Sequence, residues 1–260
     1  MTCFIQYNDI SIHYSDVGEG NTILLLHGFL EDISMWTNLK EELKNTNRII
    51  CVDLLGHGKT DSLGEIHHVE MMAEVIKFVL DELKIKSVTI IGHSMGGYVA
   101  LAFAELFPNI LNALCLMNST SQEDSEERKE NRLRAIRMAK TNYQALVSMS
   151  VSNLFCREKR SEILSEIETC KKTALQTSAE AYIACTKAMR IRKDRQHILK
   201  SGKYKKLIIA GEQDPVLTYN NIVEEAEKTN TPLVTLPYGH MSHIENYDEL
   251  QQTIKTFISQ

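Results

Sequence analysis

The 260-residue sequence lacks the features that mark several large classes of protein. Its net charge is −5 and its Lys and Arg residues form no basic stripe, which argues against nucleic acids and anionic membrane surfaces as partners. No stretch approaches the roughly 18 apolar residues that cross a membrane as a helix. The N-terminal residues contain no basic region followed by an apolar run, so no secretory leader is predicted. We therefore expect a cytoplasmic protein that binds neither nucleic acid nor membrane.

Patterns typical of disulfides and metal sites are missing as well. The six cysteines are scattered without a Cys-x-x-Cys pair, and most lie in apolar segments, so we expect reduced core residues. No two histidines have the His-x-x-x-His spacing that, joined to a carboxylate, is typical of zinc sites. We therefore expect no bound metal.

Strand-like and helix-like segments alternate along most of the chain, whose length suits one large α/β domain or a core with an insertion. Two short alternating runs joined by Asn8-Asp9 predict an antiparallel hairpin at the start. Later apolar runs alternate with helix-spaced stretches, which predicts a parallel sheet. The predicted strands cover residues 4–7, 10–14, 22–26, 48–52, 88–91, 111–117, 206–210 and 233–236.

One segment departs from this alternation. Between residues 119 and 197, strand-like runs vanish and charged helix-forming residues dominate. Three or four amphipathic helices are predicted there, two of them over 126–140 and 159–172. We therefore predict a core of residues 1–118 and 198–260 that carries a helical insertion of residues 119–197.

The most informative motif is Gly92-His93-Ser94-Met95-Gly96, which lies between a predicted strand and a predicted helix. At such a corner the backbone turns sharply, and a β-carbon on a flanking glycine would collide with neighbouring backbone. The hydroxyl of Ser94 would then be exposed at the start of a helix, where unpaired N–H groups favour negative charge. We interpret Ser94 as a nucleophile, and the alternative is an ordinary glycine-rich turn.

A serine nucleophile needs a base, and the base needs an orienting acid. Asp214 and His240 each follow a predicted strand, and the ends of parallel strands meet at one edge of a sheet. Asp214 precedes a proline and could merely initiate a turn, with Glu212 as a second carboxylate nearby. His243 is the alternative to His240. The residues alone leave both choices open.

In their chain order, these motifs resemble those of the α/β-hydrolase superfamily, specifically its cap-bearing serine hydrolases. The resemblance covers nearly the whole chain outside the insertion. It implies an α/β fold with an eight-stranded, mostly parallel sheet, an antiparallel N-terminal hairpin, helices on both faces and an inserted helical cap. The matching motifs are His-Gly at 27–28, Asp-Leu-Leu-Gly-His-Gly at 53–58, Gly-His-Ser-Met-Gly-Gly at 92–97, Gly-Glu-Gln-Asp-Pro at 211–215 and Gly-His at 239–240.

The resemblance also implies which residues form the site. Ser94 would be the nucleophile, His240 the general base and Asp214 the acid. The oxyanion that forms during attack would be bound by the backbone N–H groups of Phe29 and Met95. Beside the substrate the resemblance places His27, Gly28 and Tyr98, with His27 acting mainly as a structural hydrogen-bonding residue.

The reaction that the resemblance implies is hydrolysis of a carboxylic ester, or a related acyl bond, of a small molecule through an acyl-enzyme without a cofactor. Carbon–carbon bond hydrolases and the menaquinone-pathway synthase have a similar triad. That synthase often has an arginine after the double glycine, where this chain has Tyr98. A ligand receptor that retains the triad with little turnover is another alternative, and the oligomeric state is left open.

The insertion carries Arg128, Arg132, Arg134 and Arg137 among glutamates on one predicted helix. This spacing favours a solvated, salt-bridged face. The alternative is an arginine that turns inward and binds a substrate carboxylate. Asp53, which begins an Asp-x-x-Gly-x-Gly loop, is expected to hold that loop by hydrogen bonds.

Overall fold

The computed structural model describes residues 2–259. Its strands are β1 (Thr2–Tyr7), β2 (Ile10–Val17), β3 (Asn21–Leu26), β4 (Asn47–Val52), β5 (Val88–His93), β6 (Leu111–Met117), β7 (Lys205–Gly211) and β8 (Leu233–Leu236). Its α-helices are α1 (Thr37–Leu43), α2 (Val69–Glu82), α3 (Met95–Leu106), α4 (Glu126–Ala139), α5 (Tyr143–Ser152), α6 (Leu164–Ala174), α7 (Ala179–Ile191), α8 (Gln196–Ser201), α9 (Tyr219–Thr229), α10 (Ser242–Glu245) and α11 (Tyr247–Ser259). Short 3-10 helices at Ile33–Trp36 and Pro108–Ile110 precede α1 and β6.

The eight strands form one sheet in the order β1-β2-β4-β3-β5-β6-β7-β8. Strand β2 is antiparallel to both of its neighbours, β1 and β4, whereas all the other neighbouring pairs are parallel. The hairpin turns at Asn8, whose φ of 52° suits a tight connection. This topology confirms the predicted mostly parallel sheet with an antiparallel N-terminal hairpin. The carboxyl ends of β3 to β8 consequently meet at one edge, which we call the carboxyl edge.

Helices cover both faces of the sheet. Successive residues of a strand point to opposite sides, and in the central strands the side chains on both sides are apolar and need to be covered. In β3, Leu24 and Leu26 belong to the apolar layer that includes α2 and α3. The intervening Ile23 and Leu25 belong to the opposite layer, with α1 and α11. All four side chains are at most 1% exposed. The sheet is therefore buried on both faces, and the loops at its carboxyl edge are left to form a site.

The chain leaves the sheet after β6 and returns in β7, which pairs directly with β6. Helices α4 to α7 lie within this excursion and contribute to a third apolar cluster that contains Val147, Phe155 and Tyr182. Leu30 and Met241, which follow β3 and β8, belong to the same cluster. The inserted helices therefore pack against loops of the carboxyl edge.

The predicted domain boundaries remain a prediction, and one of them falls inside a helix. The boundary between residues 197 and 198 falls within α8, so that this helix would belong to both parts. Residues 1 and 260 of the predicted core lie outside the described residues.

One predicted helix of the insertion differs from the structure in its bounds. The prediction over 126–140 agrees with α4, but the helix predicted over 159–172 begins only at Leu164 and ends at Ala174. Before Leu164 the chain forms turns, and the guanidinium of Arg160 donates to the carbonyl oxygen of Phe155 at 3.1 and 3.2 Å. The helix-forming composition of this segment is therefore not sufficient to make it helical, and a local contact across the turns takes its place.

Two further findings concern membrane-spanning helices and the state of the cysteines. Within residues 2–259, none of the helices combines the length and apolar character that crossing a membrane requires. The six cysteines are free thiols, and Cys51, Cys115, Cys156 and Cys185 are buried, in agreement with the expectation of reduced core residues.

Truncation of a central strand residue tests the two-layer core. Because Leu25 is fully buried in β3, we expect Leu25→Ala to lower the free energy of unfolding by about 2–5 kcal/mol through lost burial and a cavity. The matched control is Leu164→Ala at an exposed helix position, with an expected change of about 0.5 kcal/mol or less. Urea denaturation of both variants measures the difference, and equal losses would contradict this description of the core.

Candidate active site

Ser94 is the single residue between β5 and α3, and its backbone conformation is unusual. Its φ of 48° and ψ of −113° lie outside the regions that a side chain favours, a conformation that costs on the order of 1–3 kcal/mol. A β-carbon at Gly96 would overlap the carbonyl oxygen of Leu26, and one at Gly92 would lie 2.5 Å from the backbone of Gly96. Glycine at these positions therefore permits the sharp corner that exposes the hydroxyl at the carboxyl edge.

The structure brings Ser94, His240 and Asp214 together. His240 Nε2 lies 2.9 Å from the hydroxyl of Ser94, and His240 Nδ1 lies 2.7 Å from Asp214 Oδ2. With Asp214 ionised, Nδ1–H donates to the carboxylate and Nε2 is free to accept from the serine hydroxyl. The rival residues lie elsewhere: Glu212 is exposed, and His243 Nε2 faces Glu31 Oε1 at 3.7 Å.

Asp214 is held as a carboxylate by its surroundings. Its Oδ1 accepts from the backbone N–H groups of Val216 and Leu217 at 2.7 and 3.0 Å. Burial alone would raise the pKa of this carboxyl, but His240 and the two N–H donors outweigh it, so that the pKa lies below its ordinary value. The acid is therefore ionised at neutral pH and able to orient the imidazole.

Asn118 is a site residue whose contacts the sequence did not predict. It follows β6 with a φ of 44°, and its side-chain amide donates to Asp214 Oδ2 and to the carbonyl oxygen of Gly239, each at 3.2 Å. Sequence reasoning assigned it no role. The signal that could have located Asn118 is its position at a strand end beside the site.

The two expected oxyanion donors lie beside the serine. Met95 is the first residue of α3, where a backbone N–H has no acceptor within its own helix. Phe29 lies on the loop after β3, and Phe29 and Ser94 line the same cavity of about 110 Å³. A β-carbon on Gly28 would lie only 3.2 Å from the β-carbon of Ser94, so that this loop passes directly against Ser94.

The residues expected beside the substrate occupy different places. Tyr98 lines the cavity, and the guanidinium of Arg192 stacks on its ring at 4.1 Å from the centroid. His27 uses both ring nitrogens within the protein: Nδ1 donates to the carbonyl oxygen of Gly28 at 2.7 Å, and Nε2 accepts from the N–H of Leu54 at 2.9 Å. These contacts fit the structural part expected of His27.

Asp53 forms hydrogen bonds with three separate segments of the chain. Its carboxylate accepts from the backbone N–H groups of Ile33 at 2.8 Å and Lys59 at 2.9 Å and contacts His13 Nδ1 at 2.6 Å. This agrees with the expectation that Asp53 holds its loop by hydrogen bonds.

The arginines of α4 differ from the expected solvated face. Arg128 and Arg132 line the cavity next to Ser94 and pair with the buried Asp124, as does Arg192 at 2.6 Å. Burial opposes ionisation of Asp124, but its arginines outweigh it and lower the pKa of this carboxyl. The expected salt bridges are therefore present, but the expected solvated face is wrong for Arg128 and Arg132, because their partner is a buried carboxylate that precedes α4. Arg134 and Arg137 are exposed, as expected.

Glu31, His93 and His243 form a second group of titratable side chains behind the serine. One ligating atom of each lies within 4.8 Å of the others, a spacing that suits a metal ion. Glu31 Oε2 and His93 Nδ1 are already engaged with each other at 2.7 Å. Sequence reasoning missed this group because Glu31 is 62 residues away from His93 along the chain.

A protein-family model described as alpha/beta hydrolase fold matches residues 21–247. The match extends from β3 to the first residue of α11 and includes the inserted helices.

Two curated relatives align with part of the chain. The 2-hydroxy-6-oxononadienedioate/2-hydroxy-6-oxononatrienedioate hydrolase 1 of Pseudomonas putida is 37% identical over 115 residues, which are 42% of this chain and 40% of that protein. A putative 2-succinyl-6-hydroxy-2,4-cyclohexadiene-1-carboxylate synthase of Bacillus subtilis is 33% identical over 135 residues, which are 49% of each chain. Both alignments therefore span less than half of the relative.

Among solved structures, a thermophilic esterase from Thermogutta terrifontis is similar over the whole chain. The TM-score is 0.92 at 26% sequence identity, with 100% of this chain and 98% of that chain covered. Together with the family match, this likeness confirms the fold that the motifs predicted.

A glycine substitution tests the sharp corner at Ser94. We expect Gly96→Ala to lower the free energy of unfolding by about 3 kcal/mol or more, because the new methyl group meets backbone that cannot move aside. The control is Gly64→Ala, where φ is +74° but no atom lies within 4 Å. There the left-handed backbone alone should cost about 1 kcal/mol. Thermal and urea unfolding measure both, and a Gly96→Ala protein as stable as the control would contradict the close approach.

Proposed function

The chain belongs to the alpha/beta hydrolase fold family, and from this premise we propose that it is a serine hydrolase that cleaves a carboxylic ester or related acyl bond of a small molecule. The observation that carries the proposal is the hydrogen-bonded chain from Ser94 through His240 to Asp214. The likeness to the Thermogutta terrifontis esterase, which extends over the whole chain, supports ester cleavage.

In the proposed mechanism, Ser94 attacks the carbonyl carbon while His240 Nε2 accepts the hydroxyl proton. The proton then passes from His240 to the leaving group as the tetrahedral intermediate collapses to an acyl-enzyme. Water enters and repeats the same cycle, which releases the acid and restores Ser94. Throughout, Asp214 fixes the tautomer of His240 and stabilises the imidazolium, and its own N–H donors keep it ionised.

The oxyanion of each intermediate would be bound by the backbone N–H groups of Phe29 and Met95. This assignment is supported by the positions of the two residues beside Ser94: Phe29 lies on the loop after β3, and Met95 begins α3. Losing one such donor typically costs about 2.7–4 kcal/mol of transition-state stabilisation. Because the donors are backbone groups, substitution of either side chain would test them poorly.

We propose that residues 119–197 form a cap that selects the substrate. Helix α4 contributes Arg128 and Arg132 to the cavity at Ser94, and the same two residues line an adjoining cleft of about 800 Å³. A substrate that reaches Ser94 therefore passes side chains of the insertion.

A second candidate reaction uses the same triad on another bond. The relatives from Pseudomonas putida and Bacillus subtilis favour the carbon–carbon hydrolase or synthase alternative, although each alignment covers less than half of this chain. Tyr98 in place of the arginine common in the synthase argues against that enzyme. A panel of ester, thioester, lactone and vinylogous diketone substrates would separate the reactions and distinguish an enzyme from a receptor.

The nucleophile is tested by Ser94→Ala. Wild-type protein is expected to hydrolyse short-chain p-nitrophenyl esters and to be labelled at Ser94 by a fluorophosphonate probe. The variant should lose about a thousandfold or more of the hydrolysis rate, because it cannot form the acyl-enzyme. Labelling at a different residue, or unchanged hydrolysis by the variant, would contradict the assignment.

The base is tested by comparing His240→Gln with His243→Gln. Only His240 contacts Ser94, so we expect its variant to lose about a thousandfold in kcat and the His243 variant to keep most of its activity. Steady-state kinetics with the same ester measure both variants, and circular dichroism shows whether each is folded. The reverse order of activities would reassign the base to His243.

A further inference from the structure

The buried pair of Glu31 and His93 connects two loops of the site. Glu31 Oε2 accepts from the backbone N–H of Gly28 at 2.6 Å and lies 2.7 Å from His93 Nδ1. On the other side of the ring, His93 Nε2 lies 3.0 Å from the backbone oxygen of His240. The Glu31–His93 pair therefore contacts the backbone of Gly28, the residue before the proposed oxyanion donor Phe29. It also contacts the backbone of His240, the proposed base.

The contacts of His93 define its protonation state. The backbone oxygen of His240 can only accept, so Nε2 carries a proton. An ionised Glu31 can likewise only accept, so Nδ1 carries a proton as well and the ring is an imidazolium. Burial opposes both charges, but the pairing outweighs it: the pKa of Glu31 is lowered to about 2 and the pKa of His93 lies above its ordinary value.

A buried ion pair of this kind is poorly explained by stability alone. Removing two charges from water costs about as much free energy as their attraction returns, and apolar replacements of similar volume are often equally stable. The pair does fix the positions of the groups that it contacts, because charge-assisted hydrogen bonds hold their partners at short, defined distances.

We propose that Glu31 and His93 form a positioning clamp that holds the Gly28–Phe29 loop and the backbone of His240 in register with Ser94. The inference rests on the proposed function, since it assigns a catalytic purpose to the geometry around that serine. Neither residue touches the reacting atoms. Glu31 acts through the backbone N–H of Gly28, the residue before Phe29, and His93 acts through the backbone oxygen of His240.

The clamp depends on the protonation of His93 and is lost as pH rises. As pH rises through the pKa of His93, the ring loses the Nδ1 proton and its lone pair then faces the Glu31 carboxylate, so the clamp is lost on the alkaline side. His243 is a neutral neighbour, because burial lowers its pKa to about 4. The other titratable groups around the pair are His27, Cys170, Asp214 and His240.

The test compares Glu31→Gln with wild type and, as the matched control, with Glu249→Gln, the same change at an exposed position of α11. Glutamine keeps the size of Glu31 but removes the charge that keeps His93 protonated. We expect kcat and the rate of fluorophosphonate labelling of Ser94 to fall about 10- to 100-fold, with KM changed by less than about threefold. The alkaline limb of the kcat profile should move about one pH unit lower, because His93 loses its anionic partner. Glu249→Gln should leave the rate and the alkaline limb near the wild-type values.

A direct measurement on the wild-type protein keeps the proposal falsifiable even if Glu31→Gln does not fold. Nitrogen-15 NMR of the histidine side chains should show both ring nitrogens of His93 protonated at neutral pH, and a neutral ring overturns the clamp. A folded Glu31→Gln protein with wild-type kcat and an unmoved alkaline limb also overturns it. If wild type itself neither hydrolyses esters nor labels at Ser94, the proposed function fails instead, so the two failures are distinguishable.

Discussion

The site depends on one constraint, the close approach of three backbone segments around Ser94. The serine has a φ of 48°, and directly after it Gly96 packs against the carbonyl oxygen of Leu26, at the end of the neighbouring strand. This contact fixes the corner to the sheet, which is buried on both faces. The strain at Ser94 is therefore maintained by the core.

The partners of Ser94 are oriented by hydrogen bonds between loops that follow different strands. Asn118, after β6, bonds to Asp214 after β7 and to the backbone of Gly239 after β8. His93, at the end of β5, contacts Glu31 after β3 and the backbone of His240. These cross-connections join the carboxyl ends of five strands at one centre. In the proposed mechanism, this network determines the geometry of the triad, whereas the insertion governs what reaches it.

The strands, the hairpin and the placement of Asp214 and His240 at strand ends were predictable because they follow from local apolar runs and from the geometry of parallel sheets. The resemblance to a known family then selected Asp214 over Glu212 and His240 over His243. The pairing of Glu31 with His93 and of Asp124 with three arginines was not predictable, because such contacts depend on tertiary packing that no local periodicity encodes.

In the proposed mechanism, Ser94 carries the acyl group during turnover. Rapid acid quenching of the protein with a p-nitrophenyl ester, followed by peptide mass spectrometry, would detect this acyl-enzyme. We expect a mass increase equal to the acyl group on the peptide that contains Ser94. Turnover of the ester with the acyl group on a different residue, or with no acylated peptide although p-nitrophenol is released in a burst, would contradict it.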